Sequence, residues 1–174
     1  AEYCVSGSDP TPTITGTTGG TFSSTTGLSI NASTGEIDLS ASTAGTYTIS
    51  YLTSSNLCAV TGTFAVTITN DEDGTFTYAA ASYCQTGSDP TPTISGTTGG
   101  TFSSTAGLSI NASTGEIDLS ASTAGTYTVS YLTSGNTCAV TGTFDVTITD
   151  DEDGTFTYAA TEYCKSGSNP TPTI

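Results

Sequence analysis

Apolar and polar residues alternate along several short stretches of the chain, and the clearest alternation lies at residues 45–53. There the apolar side chains of Tyr47, Ile49 and Tyr51 are separated by threonine and serine. The stretch returns almost unchanged at residues 125–133. A period of two in aromatic and β-branched residues predicts a half-buried β-strand. We therefore expect this strand to lie at the centre of each copy, with the other strands covering it.

Further strand signals surround the second copy of this stretch. We predict strands or extended segments at residues 75–80, 87–94, 101–103, 108–110, 117–119, 125–133 and 138–149. The first should continue towards Cys84, and Gly115 should take a left-handed backbone in a hairpin turn. Phe144, Val146 and Ile148 should face inwards on the last strand. About seven short strands without a helical period predict an all-β fold of tandem immunoglobulin-like antiparallel β-sandwich domains.

The chain is an internal repeat, because residues 1–80 align with residues 81–160 without a gap. An acidic turn, Asn70 to Gly74, follows a predicted strand and returns at residues 150–154. Such a turn is a natural boundary between repeated sandwich domains.

We therefore divide the chain into three parts at the acidic turns. The first unit, residues 1–70, is an immunoglobulin-like repeat whose first strand is incomplete. The second unit, residues 71–150, is a complete repeat, and the C-terminal segment, residues 151–174, opens a third. Near-identity between neighbours suits a spacer more than an enzyme.

The charge of the chain is strongly acidic, at −15, with one basic residue against 16 acidic ones. Phosphate binding needs clustered Lys and Arg, so we expect neither nucleic acid nor an anionic membrane as a partner. No apolar run approaches the roughly 20 residues that span a bilayer. An acidic surface permits cation binding and keeps a long array soluble by self-repulsion.

Two cysteines in each repeat predict an oxidising compartment and one disulfide per domain. We expect the pairs Cys4–Cys58 and Cys84–Cys138, with Cys164 pairing beyond residue 174. Closing a loop of roughly 54 residues would stabilise each domain by about 4 kcal/mol. The alternative pairs are Cys58–Cys84 and Cys138–Cys164, which would join adjacent domains. We do not expect the cysteines to bind metal, since the sequence has no CxxC pair and no histidine.

A family resemblance adds to these expectations. The stretch GLSINASTGEIDLSASTAGTYTISY, residues 27–51, resembles the repeats of bacterial immunoglobulin-like and cadherin-like surface proteins. The wider unit, with its DEDGTFTY, GSDPTPTI and GTTGGTFSS motifs, is similar to repeats of very large adhesins exported by the type IX secretion system of gliding bacteria. The resemblance covers essentially the whole chain. It implies an extracellular β-sandwich that extends or displays a surface protein, without catalytic residues. A Gly-x-Tyr opening the strand at residue 45 is also typical of the tyrosine corner of such sandwiches.

Few residues are candidates for chemistry, and we expect no enzyme and no resident cofactor. The sequence has no histidine, and one lysine, to activate a nucleophile or transfer protons. Calcium is the one cofactor that the acidic turns suggest, because carboxylate oxygens are its preferred ligands. The candidate ligands are Asp71, Glu72 and Asp73, and in the next copy Asp151, Glu152 and Asp153. Asn31 and Asn111 match the N-glycosylation acceptor pattern on an exposed hairpin.

These observations favour a structural repeat module of a large extracellular adhesin, stalk or cell-surface filament. Its partners would be neighbouring repeats of the same chain or identical chains. One alternative is an adhesive module that binds carbohydrate or another surface through its loops. Another alternative is a fibre subunit assembled by strand exchange, since the first strand of the first unit is incomplete and residues 156–164 form an extra one.

Overall fold

The protein is all-β in a computed structural model that describes residues 1–54, 57–134 and 137–174. The first unit contains strands β1 (Glu2–Cys4), β2 (Thr21–Ser24), β3 (Ser29–Ile30), β4 (Ile37–Asp38), β5 (Gly45–Leu52) and β6 (Thr61–Thr69). The second unit contains β7 (Phe76–Thr77), β8 (Ser82–Cys84), β9 (Thr93–Ile94), β10 (Thr101–Ser104), β11 (Ser109–Ile110), β12 (Ile117–Asp118), β13 (Gly125–Leu132) and β14 (Thr141–Thr149). The described residues include no helix of the length and hydrophobicity needed to cross a membrane.

Each unit has one four-stranded sheet, with the order β1-β6-β5-β2 in the first and β8-β14-β13-β10 in the second. The long central strands pair antiparallel, from Gly45 opposite Ile68 to Leu52 opposite Thr61. Two-stranded hairpins, β3–β4 and β11–β12, complete the two units, and the second unit adds the ribbon β7–β9. The β-sandwich prediction is therefore confirmed.

The core of the second unit lies where its four-stranded sheet faces the hairpin and the ribbon. The sheet contributes Val129, Tyr131, Val146 and Ile148, all with almost no exposure to solvent. The opposite layer contributes the buried side chains of Phe76, Tyr78, Leu108, Ile117 and Leu119. The inward-facing alternation predicted for the long strands is confirmed, because burial falls on every second residue.

Two local predictions are confirmed in both copies. The hydroxyl of Tyr47 donates to the carbonyl of Thr43 at 2.7 Å, and that of Tyr127 donates to Thr123 at 2.8 Å. This hydrogen bond to the chain just upstream is the tyrosine corner. Gly115 has a φ of 72°, which is the left-handed conformation expected for the hairpin turn.

The sequence pattern does not predict how the chain leaves the first strand of the second unit. We expected one strand from residue 75 towards Cys84, but the chain bends near Ala80, whose amide donates to the Tyr83 hydroxyl at 2.9 Å. Before the bend, β7 pairs with β9; after it, β8 pairs parallel with β14. The chain thus crosses from one layer to the other. The first unit has the same parallel contact, between β1 and β6.

Candidate functional site at the repeat junction

The disulfide of this structure joins the two units to each other. Cys4, at the end of β1, is bonded to Cys138, which precedes β14, with 5.4 Å between their Cα atoms. The predicted pairs Cys4–Cys58 and Cys84–Cys138 are therefore wrong. The alternative pair Cys138–Cys164 is also excluded, because Cys138 is already bonded to Cys4.

The parallel pairing of β1 explains why an intradomain bridge cannot form. Cys4 lies opposite Thr69, the last residue of β6, whereas Cys58 precedes Thr61, the first residue of that strand. A strand advances about 3.3 Å per residue, so the two cysteines are separated by the length of β6, about 26 Å. A disulfide requires Cα atoms within about 7 Å. The same register places Cys84 opposite Thr149, far from Cys138.

Backbone contacts pack the Cys138 loop against the end of the first unit. The Cys138 carbonyl accepts a hydrogen bond at 3.0 Å from the amide of Glu72, in the acidic turn that directly follows the first unit. The Cys138 sulfur lies 3.9 Å from the Thr69 carbonyl oxygen, and the Cys4 sulfur lies 3.1 Å from that of Thr137. Cys138 itself is buried. The loop of one repeat therefore seats on the terminal strands of the repeat before it.

The acidic turn takes part in this junction through hydrogen bonds. Asp71 accepts from the Ser6 hydroxyl at 2.8 Å, and in the next copy Asp151 accepts from the Thr86 hydroxyl at the same distance. Asp73 is held by Thr75, whose hydroxyl and amide donate to one carboxylate oxygen and keep the pKa of Asp73 below its usual value. These carboxylates are thus used as acceptors within the chain.

The predicted calcium ligands do not converge. Among the described residues, the group of three metal-type side chains with ligand atoms within 4.8 Å is Cys4, Asp71 and Cys138. The sulfur atoms of Cys4 and Cys138 form the disulfide and are therefore not thiolate ligands. Glu72 has one buried carboxylate oxygen without a hydrogen-bond partner among the described atoms. Calcium binding at the acidic turns therefore stays a prediction, as does its occupancy at Asp151, Glu152 and Asp153.

The glycosylation candidates lie on exposed turns, as expected. The side-chain oxygen of Asn31 accepts from the amides of Ser33 and Thr34, at 2.9 and 3.1 Å. Asn111 makes the equivalent bonds in the second unit. Both asparagines are exposed, and modification at these positions stays a prediction.

Two glycines at the junction were not singled out by the sequence pattern. A Cβ on Gly142 would lie 1.9 Å from the carbonyl oxygen of Gly74, and a Cβ on Gly74 would lie 2.6 Å from the Gly142 amide nitrogen. The two backbones therefore touch, which only glycine allows at this separation. Both glycines stand in similar motifs, TGTF at residues 141–144 and DGTF at residues 73–76. The sequence alone does not show that the two motifs contact each other in the fold.

Comparisons with known proteins give structural likenesses only. No protein-family model matches the chain, and no curated protein does. One similar solved structure is a SusE-like, surface-located polysaccharide-binding protein from the heparin utilisation locus of Bacteroides thetaiotaomicron, with 16% identity, a TM-score of 0.36, and coverage of 75% of this chain and 29% of that one. Another contains extracellular cadherin domains 1–4 of protocadherin gamma B7, with 13% identity, a TM-score of 0.31, and coverage of 96% and 53%.

A third similar structure contains the first two extracellular cadherin domains of human protocadherin-24. It has 13% identity, a TM-score of 0.31, and coverage of 77% of this chain and 82% of that one. The chain therefore spans less than two thirds of the length of the first two proteins named.

Proposed function

We propose that the chain is a structural repeat module of a large extracellular adhesin, stalk or cell-surface filament, without catalytic activity. The observation that carries the proposal is the Cys4–Cys138 disulfide, which bonds one repeat to the next. A disulfide within each domain would stabilise that domain alone. A disulfide between consecutive repeats instead fixes their junction, so that an array under tension does not separate there.

The position of the disulfide determines how the chain responds to a pulling force. Its two cysteines are 134 residues apart, so nearly the whole folded chain lies inside the covalent loop. A force applied between Ala1 and Ile174 passes through the sulfur atoms and can extend only the residues outside residues 4–138. Unfolding within the loop adds no length while the bond is intact.

Single-molecule pulling tests this proposal. With the disulfide intact, we expect no extension from residues 4–138; after reduction, the extension available should increase by about 460 Å, the contour length of 134 residues. The Cys138→Ser variant should show the longer extension without reductant. Cys164→Ser is the matched control and should behave like the unchanged chain. An oxidised chain that extends as far as the reduced one would contradict the proposal.

The proposal includes an extracellular or cell-surface location. Structural disulfides persist in oxidising compartments, and an acidic surface with one basic residue suits a soluble, repeated extracellular chain. The similarity to adhesin repeats exported by type IX secretion supports the same location, and export by that route is part of the proposal.

The alternative role as a carbohydrate-binding module has less support from the described surface. Glycan sites commonly present aromatic rings to solvent. The exposed aromatic side chains among the described residues are Phe64, Phe156, Tyr158 and Tyr163. Three lie on the C-terminal segment, and all four correspond to residues that contribute to the packed interior of the second unit. These rings therefore match interior positions of a repeat and give the carbohydrate-binding alternative no separate support.

A further inference from the structure

The acidic turn contains an aspartate followed directly by a glycine, Asp73–Gly74. In such a pair the amide nitrogen of the glycine is able to attack the side-chain carboxyl carbon of the aspartate. Glycine favours this attack, because it has no side chain in the way and its backbone adopts conformations closed to other residues. The pair is therefore a candidate site for a spontaneous covalent change in the main chain.

The reaction needs no reagent other than water. The Gly74 nitrogen loses its proton and bonds to Cγ of Asp73, while one carboxyl oxygen leaves as water and a five-membered succinimide ring remains. Water then opens the ring at either of its carbonyl carbons. Opening at the former backbone carbonyl leaves Gly74 joined through Cγ, which is isoaspartate. The water lost in the first step returns in the second, so the mass is unchanged and no electrons are transferred.

The folded structure restrains the groups that must meet in this reaction. The ring closes only after the peptide group between Asp73 and Gly74 turns towards the side-chain carboxyl group. The carbonyl oxygen of that peptide group accepts from the Thr97 amide at 2.6 Å, and a Cβ built on Gly96 would lie 2.1 Å from it. The carboxylate itself is held by the amide and hydroxyl of Thr75. Neither group turns towards the other without breaking these contacts.

The other side of the pair is closed by the backbone of β14. Gly74 is buried, and a Cβ built on Gly142 would lie 1.9 Å from its carbonyl oxygen and 2.7 Å from its carbonyl carbon. Close packing of this kind leaves no space into which a peptide group could turn. Gly142 follows the disulfide-bonded Cys138 by four residues, so the same junction that joins the two units also covers Gly74.

The charge of the carboxylate opposes the reaction as well. The hydroxyl and then the amide of Thr75 hold the pKa of Asp73 below its usual value. Asp73 is therefore ionised at neutral pH, and a carboxylate anion is a poorer target for a nucleophile than the neutral acid. Opening the turn removes these donors together with the packing.

We propose that Asp73–Gly74 is an isomerisation site that the packed junction keeps closed, so that isoaspartate forms there in chains whose junction has opened. The change then prevents the junction from closing again. Isoaspartate adds one methylene group to the main chain, and the carbonyl that bound the Thr97 amide becomes a free carboxylate. Gly74 is displaced from Gly142, where the backbones already touch. The site requires only the packed junction and does not depend on the role of the array.

Peptide mapping of the 174-residue chain after long incubation in neutral buffer measures the reaction. A protease that cleaves before aspartate does not cleave before isoaspartate. After reduction and digestion, a chain isomerised at Asp73 therefore leaves residues 71–88 as one uncut peptide, and a chain isomerised at Asp153 leaves residues 151–174 uncut. Both uncut peptides are quantified by mass spectrometry in the same digest.

Asp153–Gly154 is the reference within the same chain. The Thr155 amide donates to Asp153 at 2.9 Å, as that of Thr75 does to Asp73, but no described atom would lie within 4 Å of a Cβ built on Gly154. The two pairs thus share the local hydrogen bond and differ in packing. In the unchanged, oxidised chain, isoaspartate should form about 10-fold more slowly at Asp73 than at Asp153, because a reaction of the opened form follows the population of that form.

Gly142→Ala tests the packing itself, since its Cβ must displace Gly74. It should raise the rate at Asp73 by about 10-fold. Gly62→Ala, the same change at the equivalent position of the first unit, meets no described atom within 4 Å and should leave the rate unchanged. Hydrogen exchange distinguishes local opening from unfolding: in Gly142→Ala the Thr97 amide should lose protection while the amides paired between β13 and β14 keep it.

Equal rates at Asp73 and Asp153 in the unchanged chain would overturn the inference, and this comparison decides the matter even if Gly142→Ala unfolds. An exposed Thr97 amide in Gly142→Ala without faster isomerisation would also overturn it. The second half of the inference is tested with chains isomerised in urea and then refolded. Those that carry isoaspartate at residue 73 should leave the Thr97 amide unprotected, and a fully protected amide would show that the junction closes again.

Discussion

The two units have nearly the same sequence, but the aromatic end of the core is covered in the second unit and uncovered in the first. Residues 1–70 and 81–150 differ at ten positions, yet the ends of their cores differ far more than those substitutions explain. Leu39 and Ile68 are as buried as Leu119 and Ile148, because the hairpin and the sheet cover them in both units. The aromatic end of the sheet is buried only where residues 74–78 cover it. The boundary segment, residues 74–78, therefore belongs to the core of the unit that follows it.

The largest expected effect comes from removing the ring of Phe76, which covers the aromatic end of the sheet. Phe76→Ala should lower the free energy of unfolding of the second unit by about 4 kcal/mol, since a buried phenylalanine is lost and its cavity is lined by Phe102 and Tyr131. Phe156→Ala, the same change on the exposed C-terminal segment, should change it by less than about 0.5 kcal/mol in the monomer. Urea unfolding followed by tyrosine fluorescence measures both. Equal effects would show that the rings of Phe76 and Phe156 do not differ in burial.

The contact between the two glycine backbones should give a smaller but clear difference. Gly142→Val must displace Gly74 and should destabilise the second unit by about 3 kcal/mol. Gly62→Val adds its side chain to open space and should leave monomer stability within about 0.5 kcal/mol of the unchanged chain. Thermal melts of dilute samples measure the pair. A stable Gly142→Val chain would mean that residues 74 and 142 do not touch.

Alkaline pH should affect the second unit more than the first. Burial, and then the nearby Tyr83, raise the pKa of Tyr78 well above its ordinary value of 10.0. A group whose pKa is raised on folding contributes stability below its unfolded pKa and loses it as pH rises above that value. Stability of the second unit should therefore fall above pH 10, and Tyr78→Phe should reduce that fall. An unchanged pH profile in this variant would show that Tyr78 is not the responsible group.

Calcium should have the smallest effect. The described carboxylates of the acidic turns accept hydrogen bonds from Ser6, Thr75 and Thr86 and do not converge on one point. Melting curves with calcium and with a chelator should coincide to within about 1 °C, equivalent to a few tenths of a kcal/mol. A larger shift, lost in the Asp71→Asn variant, would support the calcium site predicted at the acidic turn.

Sequence reasoning succeeded where the determining interactions are local. The alternation at Tyr47 and Ile49 identifies a half-buried strand because side chains on a strand point to opposite faces by geometry alone. Gly115 sits in a turn that requires a left-handed backbone, and Tyr127 binds a carbonyl only four residues away. Each of these features depends on a few neighbouring residues.

The same reasoning failed where distant segments choose their partners. The parallel pairing of Cys4 with Thr69 depends on a chain that crosses between layers, which no alternation pattern records. The disulfide prediction required the two cysteines of one repeat to lie at the same end of its sheet. The parallel register separates them by the length of β6 and brings Cys4 to the next repeat instead.

Peptide mapping of the oxidised, unreduced chain tests the inter-repeat junction most directly. Cleavage before each aspartate places the five cysteines in five different peptides, so every pairing gives a distinct mass. We expect residues 1–8 to be bonded to residues 118–144, which contain Cys4 and Cys138 respectively. Residues 1–8 bonded to residues 38–70, or residues 118–144 bonded to residues 73–88, would show that each disulfide closes within one repeat and would contradict the account.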